Sequence, residues 1–160
     1  MWLELPMWAI ALLNALGIPA VQLGVSWWFT KIPGEHFDPG KFPYAAWPGE
    51  AARVYDRCFG VRLWKGLLPD AGPWFGGFAK KQLQASDRGF LEQFRRETCR
   101  SEAAHWLQLL LVSGFIVWTP MPWAWIILGW AVFSNLPCLL LQRQNRRRLE
   151  RVLKRIDGRT

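Results

Sequence analysis

The amino-acid sequence predicts an all-α integral membrane protein with about three transmembrane helices and short amphipathic interfacial helices between them. Hydrophobic residues make up 51% of the 160-residue chain. Twelve residues are Trp, a residue that is enriched where membrane meets water. Long uncharged runs occur near both ends of the chain. Because a chain of this length usually forms one domain, we predict a single membrane domain over residues 1–160.

The first predicted span covers about residues 5–29, "LPMWAIALLNALGIPAVQLGVSWWF", which contain no charge. At 1.5 Å per residue this run can cross a hydrocarbon core of about 30 Å. A cleaved signal peptide is the rival interpretation, but no basic region precedes the run and the run is too long. Trp27 and Trp28, beside Lys31, mark the predicted cytoplasmic end.

Two amides lie inside this first span. Asn14 and Gln22 are eight residues apart, so they share one helix face, and Pro19 between them is expected to kink the helix. Amides in hydrocarbon usually face other protein. They either hold helices together or line a cavity for a substrate with a polar headgroup.

Residues 31–100 are predicted to form a cytoplasmic and interfacial segment. Turn-rich stretches such as "IPGEHFDPGKFPYAAWPGE" flank "EAARVYDRCFGVRLWKGLL", which predicts one or two short surface helices anchored by Phe59 and Trp64. A longer helical pattern resumes at about Ser86, a plausible N-cap, and continues into the next apolar run.

The last two spans are predicted to form a hairpin. The second covers about residues 103–118, "TPMP" breaks the helix at Pro120 and Pro122, and the third covers about 122–141. A basic helix follows over residues 142–160. Residues 143–160 carry 8 basic and 2 acidic side chains, a net charge of +6, whereas residues 1–30 carry only Glu4. The positive-inside rule therefore predicts a multi-pass cell-membrane protein with its N-terminus outside and its C-terminus in the cytoplasm.

The net charge of +8 does not indicate nucleic-acid binding, because the basic tract adjoins an apolar span and no motif reads bases. Cys58, Cys99 and Cys138 have no C-x-x-C spacing, which argues against a disulfide framework or a cysteine zinc site. No cofactor is predicted. The sequence does not indicate the oligomeric state.

The tight turn near residue 120 allows side chains of the hairpin to be paired by depth. Residues whose numbers sum to about 240 lie side by side, so His105 is expected at the level of Asn135 and Glu97 at the level of Arg143. On a helical wheel Glu97, Glu102 and His105 share a face of about 140°. Gln142 and Arg146 share a face with Asn135, and Asn145 lies further round. Ionisable groups at membrane depth are costly, which indicates a function.

Two chemistries fit this arrangement. In the first, His105 is a general base oriented by Glu102 or Glu97, and removes a proton from a hydroxyl that attacks a thioester or ester. Arg100 or Arg146, with the Asn135 amide, would stabilise the oxyanion. In the second, Glu102 and His105 form part of a metal site, although such sites need further ligands. A purely structural alternative is that Glu97 and Arg146 form an interfacial ion pair.

Three stretches carry a resemblance to a known family: "VRLWKGLLPD" (61–70), "ETCRSEAAHW" (97–106) and "NLPCLLLQRQNRRRL" (135–149). With "VQLG" and "KIPGEHF" before them, they resemble the glycosyl-4,4'-diaponeurosporenoate acyltransferases, small membrane enzymes of carotenoid biosynthesis. The family pattern leads us to expect an aromatic residue at position 144, and Gln144 departs from it.

The resemblance implies transfer of a fatty acyl group to a sugar hydroxyl of a glycosylated carotenoid acid or a similar glycolipid. The acyl donor would be acyl-CoA or another acyl carrier, whose phosphates the basic tail could attract. We expect substrate contacts from Arg100, Asn135, Gln142, Asn145 and Arg146, with Trp64, Lys65 and Asp70 closing the cytoplasmic side. The alternatives are a non-enzymatic scaffold or lipid-binding protein, and a metal-dependent lipid-modifying enzyme that uses Glu102 and His105.

Overall fold

The structure, a computed structural model, describes residues 5–68 and 88–158. Its helices are α1 (Met7–Lys31), α2 (Ala52–Phe59), α3 (Val61–Trp64), α4 (Arg88–Ser113) and α5 (Trp123–Asp157). Short 3-10 turns lie at Gly34–His36, Lys65–Leu67 and Gly114–Val117. Neither described range contains a strand, so the predicted all-helical class is confirmed.

The first helix ends where its sequence requires. Ile32 precedes Pro33, and the proline ring disfavours helical backbone angles in the residue before it. Ile32 accordingly takes an extended conformation, with φ −81° and ψ 125°. Pro19 lies inside α1 without ending it.

The predicted hairpin is observed. α4 ends at Ser113, a 3-10 turn and the two prolines of "TPMP" reverse the chain, and α5 starts at Trp123 directly after Pro122. α5 then runs 35 residues without a break, through Pro137 and into the basic tail. The predicted basic helix is therefore the continuation of the third apolar helix.

The loop between α1 and α4 also contains the predicted short helices. Gly60 separates α2 from α3 because its φ of +58° is left-handed, a conformation that glycine adopts without strain. The Trp64 indole Nε1–H donates to the Phe59 carbonyl at 2.9 Å and caps the end of α2.

α1 lies antiparallel to the second half of α4, from Arg100 towards the hairpin turn. Asn14 Nδ2 donates to Thr119 Oγ1 at 3.1 Å near the hairpin turn. At the opposite end, Arg100 Nη1 donates to the Ile32 carbonyl at 3.2 Å. Gln22 Nε2 donates to Ser134 Oγ of α5 at 3.1 Å. The two amides of the first helix therefore hold helices together, the first of the two interpretations of the sequence.

The buried core is apolar at both ends of the hairpin and polar in between. Near the turn, Ile18, Val112, Phe115 and Ala131 form one apolar cluster. At the other end, Leu91, Phe94, Leu149 and Leu153 form a second. The layer between them contains buried charged and amide side chains, among them Glu102, Asn135 and Arg146. The fold thus isolates a set of polar groups from solvent.

Among the described residues, two helices, α1 and α5, are long and apolar enough to cross a membrane. The predicted count of about three spans is not confirmed. α4 begins with "RGFLEQFRRETCRSE", so only the part after Glu102 is free of Asp, Glu, Lys and Arg. Large apolar side chains are exposed on both candidate spans, including Trp8, Leu16, Trp125 and Phe133.

Gly17 lets α1 approach the hairpin closely. A Cβ at this position would lie 2.7 Å from Cε1 of the Phe115 ring, whereas a Cβ at Gly24 of the same helix would meet no atom within 4 Å. We therefore expect Gly17→Leu to lower the free energy of unfolding by about 1–3 kcal/mol, because the added side chain overpacks this contact. Thermal unfolding in detergent would measure the change. Gly24→Leu is the matched control, and equal effects of the two substitutions would contradict the packing described here.

Candidate active site

His105 and Asn135 meet across the α4–α5 hairpin. Nδ1 of the half-buried His105 ring lies 3.0 Å from Oδ1 of Asn135, which is fully buried. The predicted pairing of these two residues by depth is confirmed. Asn135 Nδ2 donates to the Ala131 carbonyl at 2.9 Å and to Ser134 Oγ at 3.1 Å. Both hydrogens of the amide are therefore committed to protein acceptors, which leaves none for the predicted oxyanion contact.

The His105 pair belongs to a wider group of polar side chains from all three long helices. Gln108 Nε2 donates to the Gln22 carbonyl and to Ser26 Oγ, both at 2.9 Å. We call the group the polar node: Gln22, Ser26, His105, Gln108, Ser134 and Asn135. Sequence reasoning did not single out Ser26, Gln108 and Ser134. The spacing of His105 and Gln108 by three residues, with Gln108 in an otherwise apolar run, is the signal that could have indicated them.

Glu102 lies one turn before His105 but has arginine partners. Its Oε1 accepts from Arg143 Nη1 at 2.8 Å, and its Oε2 pairs with Arg146 Nη2. Glu102 and Arg146 are both fully buried. The carboxylate therefore compensates two buried guanidinium groups, and the residue that contacts His105 Nδ1 from the facing helix is Asn135. The orienting role predicted for Glu102 is taken in this geometry by an amide.

Glu97 lies on α4 five residues before Glu102. Its Oε2 pairs with Arg100 Nη2 at 2.5 Å on the same helix, and the side chain is buried. Arg100 also binds the end of α1 through Ile32. The alternative of a Glu97–Arg146 ion pair is replaced by two separate pairings, Glu97 with Arg100 and Arg146 with Glu102. Glu97 and Arg100 thereby fasten the end of α1 to α4.

The connection between α1 and α2, residues 32–51, lies across the arginines of α5, and we call it the strap. Arg143 donates to the Pro43 carbonyl at 3.3 Å and stacks over the Trp47 ring at 4.1 Å. Arg147 Nη2 donates to the Tyr44 carbonyl at 2.5 Å. These contacts fix a turn-rich loop whose placement its sequence did not indicate.

Glu50, at the end of the strap, completes what we call the charged cluster: Glu50, Glu102, Arg143, Arg146 and Arg147. Arg143 Nε lies 3.1 Å from Glu50 Oε1, which also accepts from the Tyr55 hydroxyl. The Trp47 amide donates to Glu50 Oε2 at 3.0 Å. Sequence reasoning missed Glu50 because its partner Arg143 is 93 residues away along the chain.

The electrostatics of Glu50 lead to a prediction of pH dependence. Burial alone would raise the pKa of Glu50, but hydrogen bonds from Arg143, Tyr55 and the Trp47 amide outweigh it and lower the pKa below its ordinary value of 4.5. Burial, together with the hydrogen bond to Glu50, raises the pKa of Tyr55 to about 12. A lowered carboxyl pKa stabilises the fold above the unfolded-state pKa, and this stabilisation disappears as the pH falls through the folded-state pKa.

We therefore expect wild-type protein to be more stable than Glu50→Gln at neutral pH, with the difference shrinking steadily below about pH 4.5. Thermal unfolding of both proteins in detergent across this pH range would measure the difference. Glu35→Gln is the matched control on the strap, because Glu35 is exposed. A stability difference for Glu50→Gln that does not change with pH would exclude this role.

The remaining predicted site residues are scattered. Gln142 is buried in α5, and Asn145 is half-buried three residues further along. Trp64 and Lys65 are half-buried beyond α2, where the Trp64 indole caps that helix. Asp70, like the proposed N-cap Ser86, lies outside the described residues. Gln144, the departure from the family pattern, is fully buried and donates to Asp56 of α2.

Residues 5–68 and 88–158 contain no set of side chains that fits the metal-site alternative. No group of three or more His, Cys, Asp or Glu side chains is placed there so that it could hold a metal ion. Both oxygens of Glu102 are paired with arginines. A metal at this carboxylate would have to displace at least one guanidinium group.

Fold and site together define an all-helical protein in which a histidine–amide pair lies between the apolar end of the α4–α5 hairpin and a buried charged cluster. The model of the glycosyl-4,4'-diaponeurosporenoate acyltransferase family matches residues 26–155, which include His105, Asn135 and the charged cluster. The chain belongs to this family and is an acyltransferase.

Curated relatives carry the same name. The glycosyl-4,4'-diaponeurosporenoate acyltransferase of Staphylococcus aureus strain bovine RF122 / ET3-1 is 27% identical over 136 residues, which cover 84% of this chain and 82% of that protein. The protein of strain USA300 matches with the same identity and coverage. No solved structure matches the chain.

Proposed function

We propose that the protein is a membrane O-acyltransferase that moves a fatty acyl group onto a sugar hydroxyl of a glycosylated carotenoid acid or a similar glycolipid. The acceptor is suggested by the name of the curated relatives, glycosyl-4,4'-diaponeurosporenoate acyltransferase. One observation carries the proposal for this chain. His105, a side chain suited to proton transfer, is oriented by Asn135 at the boundary between the apolar hairpin and the charged cluster.

The membrane placement rests on exposed apolar surface. In the most apolar 18-residue stretch of each helix, only 17% of α1 and 22% of α5 is buried. The core helix of a water-soluble protein is instead mostly buried. An apolar groove of about 570 Å³ runs along the outer face of α5, lined by Trp125, Leu128, Gly129, Val132, Phe133, Leu136 and Pro137. In hydrocarbon this surface costs nothing to expose, whereas in water it would promote aggregation.

The number and direction of the spans follow from how the helices are paired. Because α4 runs beside α1 from Arg100 to the hairpin turn, any membrane that α1 crosses also surrounds the last part of α4. This supports three spans. Lys31 and the basic tail of α5 lie at the same end of the bundle, and the positive-inside rule assigns that end to the cytoplasm. The N-terminus is then outside.

In the proposed reaction His105 is the general base. The neutral imidazole takes the proton of the acceptor hydroxyl while the hydroxyl oxygen forms a bond to the acyl carbonyl carbon of the donor. When the tetrahedral intermediate collapses, the bond from that carbon to the donor's leaving atom breaks. His105 then returns the proton to the leaving group. The donor would be a thioester such as acyl-CoA or another acyl carrier.

The charged end of the bundle suits a donor that carries phosphates. Arg151, Lys154 and Arg155 are exposed on α5, and Arg53 and Arg57 are exposed on α2. Exposed guanidinium and ammonium groups bind phosphate oxygens with charge-assisted hydrogen bonds. Lys65 and Asn145, both half-buried at this end, are the other candidates for polar contacts to sugar or donor. A water-side donor and a membrane-side acceptor would meet at His105.

The test is acyl transfer by purified protein in vesicles that contain a glycosylated carotenoid acid, with acyl-CoA added outside. We expect a product whose mass increases by one fatty acyl group, detected by mass spectrometry. A second set of vesicles carries a glycolipid with the same sugar and no polyene. Transfer to neither acceptor, from acyl-CoA or from an acyl phospholipid, would exclude the proposed reaction. Transfer to the second acceptor alone would exclude the carotenoid glycoside as substrate.

A further inference from the structure

The contact between His105 and Asn135 determines which imidazole nitrogen carries the proton. Asn135 Oδ1 is an amide oxygen and can only accept a hydrogen bond, so the His105 Nδ1 that lies 3.0 Å away must donate. A neutral imidazole carries one N–H. With that hydrogen on Nδ1, the lone pair that can take a proton is on Nε2.

This assignment depends on the orientation of the Asn135 amide, and two contacts fix that orientation. Nδ2 lies 2.9 Å from the Ala131 carbonyl oxygen and 3.1 Å from Ser134 Oγ. A rotated amide would place its oxygen against the Ala131 carbonyl, and two acceptors would then face each other. Because Asn135 is fully buried, no solvent is available to relieve that contact.

Ser134 extends the same constraint to α1. Its hydroxyl hydrogen has an acceptor in the Trp130 carbonyl at 2.8 Å, so its oxygen is free to accept. Two donors use that oxygen, Asn135 Nδ2 and Gln22 Nε2, each at 3.1 Å. The orientation of the Asn135 amide is thus supported from both α5 and α1.

We propose that Asn135 is a positioning residue that holds His105 in the Nδ1–H tautomer, with Ser134 and Gln22 supporting its amide, so that Nε2 is the basic nitrogen. The catalytic consequence rests on the proposed function, since it requires that His105 take a proton from substrate. The tautomer itself does not, because it is argued from the contact between His105 Nδ1 and Asn135 Oδ1 and not from substrate.

The tautomer can be measured without substrate. The chain contains only two histidines, His36 and His105, so a ¹⁵N-histidine-labelled protein gives two ring systems, and the His36→Gln variant identifies that of His105. At a pH where the ring is neutral, we expect Nδ1 of wild-type His105 to give the protonated type of signal and Nε2 the unprotonated type. The reverse pattern in folded wild-type protein would overturn the proposal.

Two substitutions then test whether Asn135 and Ser134 hold His105 in this tautomer. In Asn135→Ala the Nδ1 acceptor is lost, so the ring should revert towards the Nε2–H tautomer, which predominates in free histidine. The kcat for acyl transfer should fall about a hundredfold with little change in KM, because proton transfer is impaired and binding is not. Leu136→Ala, the next residue but exposed on the outer face of α5, is the matched control and should change neither.

Ser134→Ala provides a milder variant in case Asn135→Ala does not fold. It should give a mixture of the two tautomers and a smaller loss of kcat, whereas an unchanged wild-type tautomer would refute the supporting role of Ser134. The two proposals can fail separately. If His105 has the Nδ1–H tautomer but the protein transfers no acyl group, the positioning role stands and the proposed reaction is rejected. If the protein transfers the acyl group but His105 has the Nε2–H tautomer, the reaction stands and the positioning role is rejected.

Discussion

Replacing His105 with alanine is expected to lower the kcat for acyl transfer by about 10²–10⁴-fold, the usual contribution of a positioned general base. Its ring is half-buried and its contact across the hairpin is to the Asn135 amide, so the substitution removes that hydrogen bond. The variant should therefore insert and unfold much as the wild-type protein does. Steady-state kinetics with a fixed glycolipid acceptor, alongside thermal unfolding in detergent, would measure both properties.

The other histidine is the control for this experiment. His36 is exposed on a 3-10 turn of the strap, where its Nδ1 lies 3.2 Å from the nearby Pro33 carbonyl oxygen. His36→Ala should keep wild-type kcat. A near-normal kcat for His105→Ala would exclude His105 as the general base. Acyl transfer to this acceptor would still stand.

Replacing Glu102 with glutamine should mainly destabilise the fold, by about 3–5 kcal/mol, because a buried charge that loses its partner is not compensated by solvent. Glu102 is the carboxylate between Arg143 and Arg146, and both it and Arg146 are fully buried. Denaturant or thermal unfolding in detergent would measure the loss. If Glu102 instead served only to orient His105, the substitution would lower kcat and leave stability unchanged.

Two further variants make this result specific. Glu92 lies on the same helix and pairs with Arg88, but that pair is largely exposed, so Glu92→Gln should cost no more than about 1 kcal/mol. The double substitution of Glu102→Gln with Arg146→Met should recover part of the lost stability, because it removes a buried positive charge together with its counter-charge. A double variant less stable than Glu102→Gln alone would argue against this account of the cluster.

Much of the fold could be predicted because its causes are local. An uncharged run as long as a membrane is thick, a pair of prolines that stop a helix, and a basic tail with helical spacing each act within a few residues. The count of spans was harder. It depends on where α4 changes from charged to apolar, and that change falls between Glu102 and His105, inside one uninterrupted helix. Composition alone does not say where a membrane boundary crosses such a helix.

The contacts of the candidate site, too, could be predicted from the sequence only in part. His105 and Asn135 could be paired by counting from the turn, since a tight antiparallel hairpin fixes depth. The partners of Glu102 could not, because a helical wheel gives the direction of a side chain and not which of several neighbours it binds. Arg143, an arginine of the tail, binds Glu102 and Glu50 at once, and Glu50 reaches it through a loop with no periodic pattern. Such contacts become visible only in the folded chain.

The uninterrupted helix α5 also limits how the length of this chain can change. Asn135 and Arg146 are eleven positions apart, three turns of one helix, and each faces α4 with a different partner. A single inserted residue between them would rotate everything after it by about 100° and turn both arginines away from Glu102. Relatives that keep both contacts are therefore free to gain or lose residues in the part of the basic tail that follows Arg147. Between Asn135 and Arg146 their sequences should align without gaps.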